Sequence, residues 1–85
     1  MLKLKNNIIY IELPQGKTQA ELVKTARAEV KCLAQSKQLY GKHIKLNGRC
    51  TTGMALMLGH ELAHLCKSVS IFDPKENSYL TCIEH

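Results

Sequence analysis

Short runs of apolar residues, separated by turn residues, divide the chain into seven predicted elements. Residues 2–5 and 8–13 have the composition of strands, and the Asn-Asn pair between them predicts a tight turn. Thr18, followed three residues later by Glu21, is a capping-box pattern. Apolar residues at helical spacing follow it, so we expect a helix over residues 18–38.

The second half of the chain continues this alternation. Residues 43–46 predict a strand, and either Thr51 or Thr52 can cap a helix that runs to about residue 66. Residues 69–72 and 79–83 predict two further strands that pair antiparallel. The order predicts an α/β fold in two or three layers: a small Rossmann-like sheet with two helices and a C-terminal antiparallel hairpin.

The length of 85 residues predicts one domain over residues 1–85. A domain of this size buries a modest share of its surface, so we expect a partner subunit to add stability. No apolar run is long enough to cross a bilayer, and the first residues lack the apolar core of a signal peptide. We therefore expect a cytoplasmic protein with no membrane contact.

Cysteines, charge and aromatic content narrow the choice of partner. Cys32, Cys50, Cys66 and Cys82 form no Cys-x-x-Cys pair, and we expect four buried or half-buried thiols. The net charge of +5 favours an anionic partner. With one Phe, three Tyr and no Trp, the chain lacks the aromatic platform on which single-strand binders stack bases. A compact phosphorylated ligand is therefore expected in preference to long nucleic acid.

Ligands of parallel α/β sheets collect at the carboxyl ends of the strands. The residues expected at that edge are Asn47, Gly48, Arg49, Thr51 at the start of the second helix, Asp73 and Lys75. Free backbone amides over residues 50–53 and the helix dipole favour a phosphate, Gly48 allows close approach, and Arg49 can bind in bidentate fashion. A plain turn with a solvated arginine accounts for the same residues.

The second predicted helix contains the H-E-x-x-H pattern of zinc peptidases. His60 and His64 share one helix face and can chelate a metal, with Glu61 as general base. A peptidase also needs a third ligand and a substrate cleft, which fit poorly in 85 residues. The alternative is two packed histidines beside an apolar stripe, with Met57 on the histidine side. The stripe would comprise Met54, Ala55, Leu58, Leu62 and Leu65.

A longer pattern joins these pieces. It consists of Asn47-Gly48-Arg49, Gly59-His60-x-x-Ala63-His64, Val69-Ser-Ile-Phe-Asp73-Pro74-Lys75 and a strand closing on His85. Over residues 46–85 this pattern resembles the third of the named CRISPR ring-nuclease families. The first half of the chain agrees only in the order of its elements. Lys75 stands where the family can have Arg, and relatives usually continue beyond His85. We therefore expect a truncated form, part of a longer protein or a minimal member, and the alternatives stay open.

The resemblance implies a Rossmann-like homodimer that assembles to a tetramer on its ligand. The family cleaves cyclic tetra-adenylate, the second messenger of type III CRISPR defence, with Mn²⁺, and a deadenylating activity on short RNA is also ascribed to it. By position, the resemblance makes His60, His64 and Asp73 catalytic and metal-binding. It places substrate binding at Asn47, Gly48, Arg49 and His85, and we expect Thr51 at the start of the second helix and Lys75 after Asp73 to join them.

The predicted topology separates the two halves of this site. The second helix returns from the carboxyl edge, and about 14 residues of helix span about 20 Å, so His64 and Asp73 lie towards opposite edges. We therefore expect a working site that joins different subunits, with the ligand between dimers. Two alternatives remain open: a sensor or adaptor that holds cyclic oligoadenylate without cutting it, and the zinc peptidase.

Overall fold

A five-stranded mixed sheet with two helices on one of its faces forms the protein. The computed structural model describes residues 1–85. Its elements are β1 Leu2–Lys5, β2 Ile8–Ile11, α1 Gln19–Gln35, β3 His43–Gly48, α2 Thr52–Ala63, β4 Ser68–Asp73 and β5 Ser78–Glu84. The strands lie in chain order, with β2, β3 and β4 parallel and both edge strands antiparallel to their neighbours. The predicted α/β class is confirmed.

The strand order differs from the Rossmann arrangement, in which the order reverses at a central switch point and helices cover both faces. Here the two parallel crossovers step in the same direction across the sheet. Since such crossovers are right-handed, both helices come to lie on the same face. The side chain of Gln19 in α1 joins them, because its Oε1 accepts a 2.8 Å hydrogen bond from the backbone N–H of Gly53 in α2. The protein is therefore two-layered and has no switch-point crevice.

Local chemistry sets the helix starts. The Thr18 hydroxyl accepts from the Glu21 amide, and the Glu21 carboxylate accepts from the Thr18 amide, so the predicted capping box is confirmed. Of the two threonines before α2, Thr51 is the cap, and its hydroxyl accepts from the backbone N–H of Met54 at 3.2 Å. Both helices end about three residues before the predicted position. Helix ends fray, and apolar spacing does not fix the last turn.

The tight turn between β1 and β2 is confirmed. Asn6 and Asn7 both have left-handed backbone angles, with φ of 53° and 64°. A two-residue hairpin turn with both central residues in this region matches the right-handed twist of its strands, and Asn tolerates the conformation. This turn makes β1 an edge strand, and β5 forms the opposite edge after a second turn that ends on Asn77.

The core lies between the helices and one face of the sheet. Its fully buried side chains include Ile9, Ala26, Ile44, Met54, Leu58 and Leu62. On α2 the prediction is wrong at two positions: Met57 is buried in this core, whereas Ala55 is exposed. The buried stripe thus keeps Met54, Leu58 and Leu62 and includes Met57 in place of Ala55, and α2 packs over β4 as well as against α1.

Gly48 meets a steric demand from the neighbouring strand. Its φ of 121° is one that side chains rarely adopt, and a Cβ there would collide with the carbonyl oxygen of Ile11. Ile11 is the partner of Gly48 in the parallel β2–β3 pair. The close approach that we expected for a phosphate is therefore made by protein backbone.

The cysteine prediction is wrong for two of the four residues. All four thiols are free, but Cys32 on α1 and Cys82 on edge strand β5 are exposed. Burial raises the pKa of the Cys66 thiol to about 11 and also raises that of Cys50. Cys32 and Cys82 lie on solvent-facing positions of an amphipathic helix and an edge strand, which composition does not reveal.

Alanine at Gly48 should destabilise the protein more than alanine at Gly41. Both positions have positive φ, but nothing lies within 4 Å of the Cβ site of Gly41. We expect the loss in free energy of unfolding for Gly48→Ala to exceed that for Gly41→Ala by ~2 kcal/mol or more, since only the first adds a backbone collision to the strain. Urea unfolding measures both, and equal losses would contradict the steric account.

Alkylation should divide the thiols into two pairs. At pH 8 iodoacetamide should modify Cys32 and Cys82 before Cys50, and Cys66 last, because a pKa raised from 9.0 to about 11 leaves little reactive thiolate. Peptide mass mapping over time gives the four rates. In urea the rates should converge, and fast modification of Cys66 in the folded protein would show this expectation to be wrong.

Candidate functional site

The predicted site residues divide between two opposite edges of the sheet. The parallel strands end at Gly48 and Asp73, and this carboxyl edge holds one group. Its members are Asn47, Gly48, Arg49, Thr51, Asp73 and Lys75. The other edge holds His60 and His64 at the end of α2. It also holds His85, whose backbone N–H donates to the Lys67 carbonyl just before β4 at 3.0 Å. Twelve residues of α2 span about 18 Å, so the two edges are well separated.

An open groove of about 640 Å³ lies at the carboxyl edge, between α2 and the β5 side of the sheet. Its walls are mostly apolar, and Arg49, Cys50 and Thr51 supply its polar rim. Arg49 is exposed and makes no ion pair within the chain, so its guanidinium is available to a ligand. The groove therefore offers apolar contact beside one free positive charge.

The backbone amides at the start of α2 are less available than expected. The backbone N–H of Gly53 donates a hydrogen bond to the Gln19 side chain, and that of Met54 donates to the Thr51 hydroxyl. The predicted anion site over residues 50–53 thus loses the amide of Gly53. A phosphate at this edge would depend mainly on Arg49 and on the remaining helix dipole.

Asp73 has a local structural role. Its Oδ1 accepts from the backbone amides of Lys75 at 3.0 Å and of Glu76 at 3.4 Å, which closes the turn into β5. The other oxygen of the carboxylate makes no hydrogen bond within the chain. Lys75 is exposed and forms no ion pair.

Asn47 points away from the groove. Its Nδ2 donates to the hydroxyl of Tyr79 at 2.9 Å, on the face of the sheet that the helices leave uncovered. The groove that Arg49 lines lies on the helix side. The structure thus places the side chains of Asn47 and Arg49 on opposite faces, although only Gly48 separates them in sequence.

The two histidines of α2 contact each other. Their Nε2 atoms are 3.2 Å apart, and the rings meet edge to face with centroids 4.8 Å apart. Both side chains are exposed. Two nitrogens bound to a tetrahedral ion at 2.0–2.1 Å would be about 3.3 Å apart, so the pair fits two positions in the coordination shell of a metal.

Within one chain the pair has no third partner. No group of three or more His, Cys, Asp or Glu side chains is arranged to hold a metal ion, and Asp73 lies at the other edge. A Mn²⁺ site made of His60, His64 and Asp73 therefore needs more than one copy of the chain, and it stays a prediction.

Comparison with known proteins identifies no relative. No protein-family model, curated protein or solved structure matches this chain. No helix of the protein combines the length and apolar character that crossing a membrane requires.

Sequence reasoning missed the residues of the uncovered sheet face. Lys45 lies with its Nζ 5.1 Å from the centre of the Tyr79 ring, and Phe72 meets the same ring edge to face at 5.3 Å. Side chains alternate between the two faces of a strand, so the sequence of each strand shows which residues lie on the face opposite the core. The small number of aromatic residues had led us to expect no aromatic cluster. A residue count does not show which residues lie side by side in the sheet, so it could not reveal this one.

The histidine pair should bind transition metals on its own. We expect isothermal titration calorimetry to detect Zn²⁺ binding and weaker Mn²⁺ binding, since imidazole sites follow that order. His64→Ala should weaken Zn²⁺ binding about tenfold or more by removing one ligand of the chelate. His43→Ala, at a histidine bonded to Ser68, is the control and should leave binding unchanged. Equal effects of both variants would exclude the pair as the site.

Proposed function

We propose that this protein is a metal-dependent ring nuclease that binds and cleaves cyclic tetra-adenylate, as an accessory of type III CRISPR defence. The observation that supports it best is the exposed, mutually bonded pair His60 and His64. Their Nε2 atoms lie 3.2 Å apart and are open to solvent, so both rings are within reach of a ligand. Imidazole is the side chain most often used as a general base.

The chemistry requires a base and a cationic partner. The base takes the proton of a ribose 2′-hydroxyl, whose oxygen attacks the neighbouring phosphorus. The bond from phosphorus to the 5′-oxygen then breaks, giving a 2′,3′-cyclic phosphate, and the imidazolium returns its proton to that 5′-oxygen. We assign the base to His60 or His64 and the neutralisation of phosphate charge to Arg49 or Lys75. Of His60 and His64, the one that is not the base would hold Mn²⁺ together with Asp73, and the ion would supply Lewis-acid stabilisation of the phosphorane charge.

Separation of the two edges supports a site shared between subunits. The histidine edge and the Arg49 edge lie at opposite ends of α2, so a single phosphate cannot meet both within one chain. In our proposal the histidine edge of one copy faces the carboxyl edge of another. A homodimer presents each edge twice, as a ring with twofold repeat requires, and two dimers enclose the ligand as a tetramer. The same site would remove adenylates from short RNA.

One observation favours a second function, that of a non-catalytic sensor or adaptor for cyclic oligoadenylate. The Arg49 groove can bind a phosphorylated ligand without the histidines, because nothing in one chain joins the two edges. A zinc peptidase is a weaker candidate, since His60 and His64 lack a third ligand in the chain. If the protein is a sensor, the variant Asp73→Ala should still bind cyclic oligoadenylate.

Incubation with cyclic tetra-adenylate, with and without Mn²⁺, tests these functions. We expect chromatography to detect linear di- or tetra-adenylate as the product. The rate of product formation should fall at least about a hundredfold in His64→Ala, because the general base is lost. Arg49→Ala should weaken ring binding, and Glu61→Gln should leave cleavage unchanged. An intact ring that co-elutes with the protein would support the sensor. Stoichiometric Zn²⁺ with peptidase activity lost in Glu61→Gln would support the peptidase.

Mixing two inactive variants tests the shared site. Asp73→Asn keeps an oxygen that can accept from the Lys75 amide, so the turn should survive while the carboxylate charge is lost. If His64 of one copy works with Asp73 of another, a mixture of His64→Ala and Asp73→Asn chains should recover about a quarter of wild-type activity by random assortment. No recovery after co-refolding would show that each site is built within one chain.

A further inference from the structure

The two helices lie side by side and run in the same direction, with a seam between them on the solvent side. Each helix joins two neighbouring parallel strands, so both run antiparallel to those strands. They touch where they begin. The Gln19 side chain accepts from the Gly53 amide, and its Cγ is 3.3 Å from the position that a Cβ on Gly53 would occupy. Positions along both helices can therefore be counted from this contact.

On α2 the side that meets α1 carries the histidine pair. At about 3.6 residues per turn, the seventh and eleventh residues after Gly53 point within about 20° of its direction. Those residues are His60 and His64, and both are exposed. The two imidazoles therefore lie along the seam rather than on the side of α2 that faces β5.

Three basic side chains follow the seam on α1. Lys24, Arg27 and Lys31 are spaced by three and four residues, so they share one face of the helix. All three are exposed and make no ion pair within the chain. Lys24 and Arg27 line an open groove of about 630 Å³, and Thr52 and Gly53 at the start of α2 line its other side. The basic face of α1 thus borders the seam.

Two of these basic residues lie level with the histidines. Counted from the contact between the helix starts, Arg27 lies about 12 Å along α1 and His60 about 10.5 Å along α2. By the same count Lys31 lies at about 18 Å and His64 at about 16.5 Å. The axes of packed helices are about 8–10 Å apart. An anion above the seam can therefore meet an imidazole on one side and a guanidinium or ammonium group on the other.

No acidic side chain neutralises these cations. On α1, Glu21 pairs with Lys17, and Glu29 accepts from the Leu2 amide on the side towards β1. Glu61 on α2 is half-buried and forms no ion pair. The seam is thus complementary to a compact anion with oxygens on several sides, which is the shape of a phosphate group.

We propose that Arg27 and Lys31 bind the phosphate group on which His60 and His64 act, so that the base and the cations belong to one chain. This assignment rests on the proposed ring nuclease, since it concerns the same histidines. Arginine can donate two parallel N–H groups to a phosphate, and lysine adds a point charge. A general base has to lie within hydrogen-bond reach of the proton that it removes, and a cation has to lie beside the charge that develops.

The seam divides the work between copies of the chain. Arg49 and Lys75, at the carboxyl edge, can reach this phosphate only from another copy, whereas the basic face of α1 lies beside the histidines in every copy. Binding of a phosphate at the histidines should therefore not require assembly. The second copy would supply Asp73 and contact the ring from its other side.

Calorimetry with cyclic tetra(2′-deoxyadenylate), which lacks the attacking 2′-hydroxyl, measures binding apart from cleavage when EDTA is present. The double variant Arg27→Gln, Lys31→Gln should bind this ring about tenfold or more weakly, with a salt dependence smaller by about 1.4 log units per log unit of salt for two lost phosphate contacts. The matched control is Lys3→Gln, Lys5→Gln on β1, which makes the same change in net charge and should alter the affinity less than about twofold. Circular dichroism confirms that both are folded, and a purely structural effect would leave the salt dependence unchanged.

Inorganic phosphate locates the site without the ring. In a titration at constant pH and ionic strength, the amide NMR signals of residues 24–31 and 60–64 should shift together. These shifts should be lost in Arg27→Gln, Lys31→Gln. Shifts confined to residues 49–53 would place the anion at the carboxyl edge and overturn the proposal.

Ring cleavage separates this proposal from the function on which it rests. In Arg27→Gln, Lys31→Gln we expect KM for cyclic tetra-adenylate to rise about tenfold or more. Equal weakening by the two double variants, or an unchanged KM, would overturn the role of the seam and leave the ring nuclease in place. If the wild type binds the deoxy ring through Arg27 and Lys31 but leaves cyclic tetra-adenylate intact with Mn²⁺, the ring nuclease fails and the seam remains a phosphate-binding site.

Discussion

Burial of one side of the sheet beneath α1 and α2 is the constraint on which the rest of the structure depends. Ile9, Ile44 and Val69 on the central strands meet Ala26 and Leu58 on the helices in a single core. Because both crossovers step in one direction, both helices pack their buried residues against the same face of the sheet. The other face then has to be made of side chains that tolerate water, and the period of two along each strand supplies them.

The same constraint separates the candidate chemistry into regions that do not meet within one chain. A helix that covers a parallel crossover must run antiparallel to the strands, so the start of α2 lies at the carboxyl edge and its histidines lie at the amino edge. Arg49 lines a groove on the helix side, whereas Asn47 is bonded to Tyr79 on the opposite face. Any reaction that needs both a histidine and Arg49 therefore needs two copies of the protein.

Much of the fold could be predicted because its signals are local. Hydrogen-bonding side chains identify the helix start at Thr18, and paired asparagines identify the turn between β1 and β2. The burial of Met57 and the exposure of Cys32 and Cys82 could not be predicted in this way. Each depends on which neighbouring element covers that side of the helix or strand, and helical spacing alone does not say whether Met57 or Ala55 borders the core.

By itself the sequence determined the elements, their order and the neighbouring pair His60 and His64, since helical spacing alone brings residues four apart together. Only the tertiary structure decided that both helices share one face, that backbone of Ile11 occupies the space beside Gly48, and that Lys45, Phe72 and Tyr79 meet on the other face. These features arise from strand register and from the direction of the crossovers. Both are set by contacts between residues far apart in the chain, which no local pattern encodes.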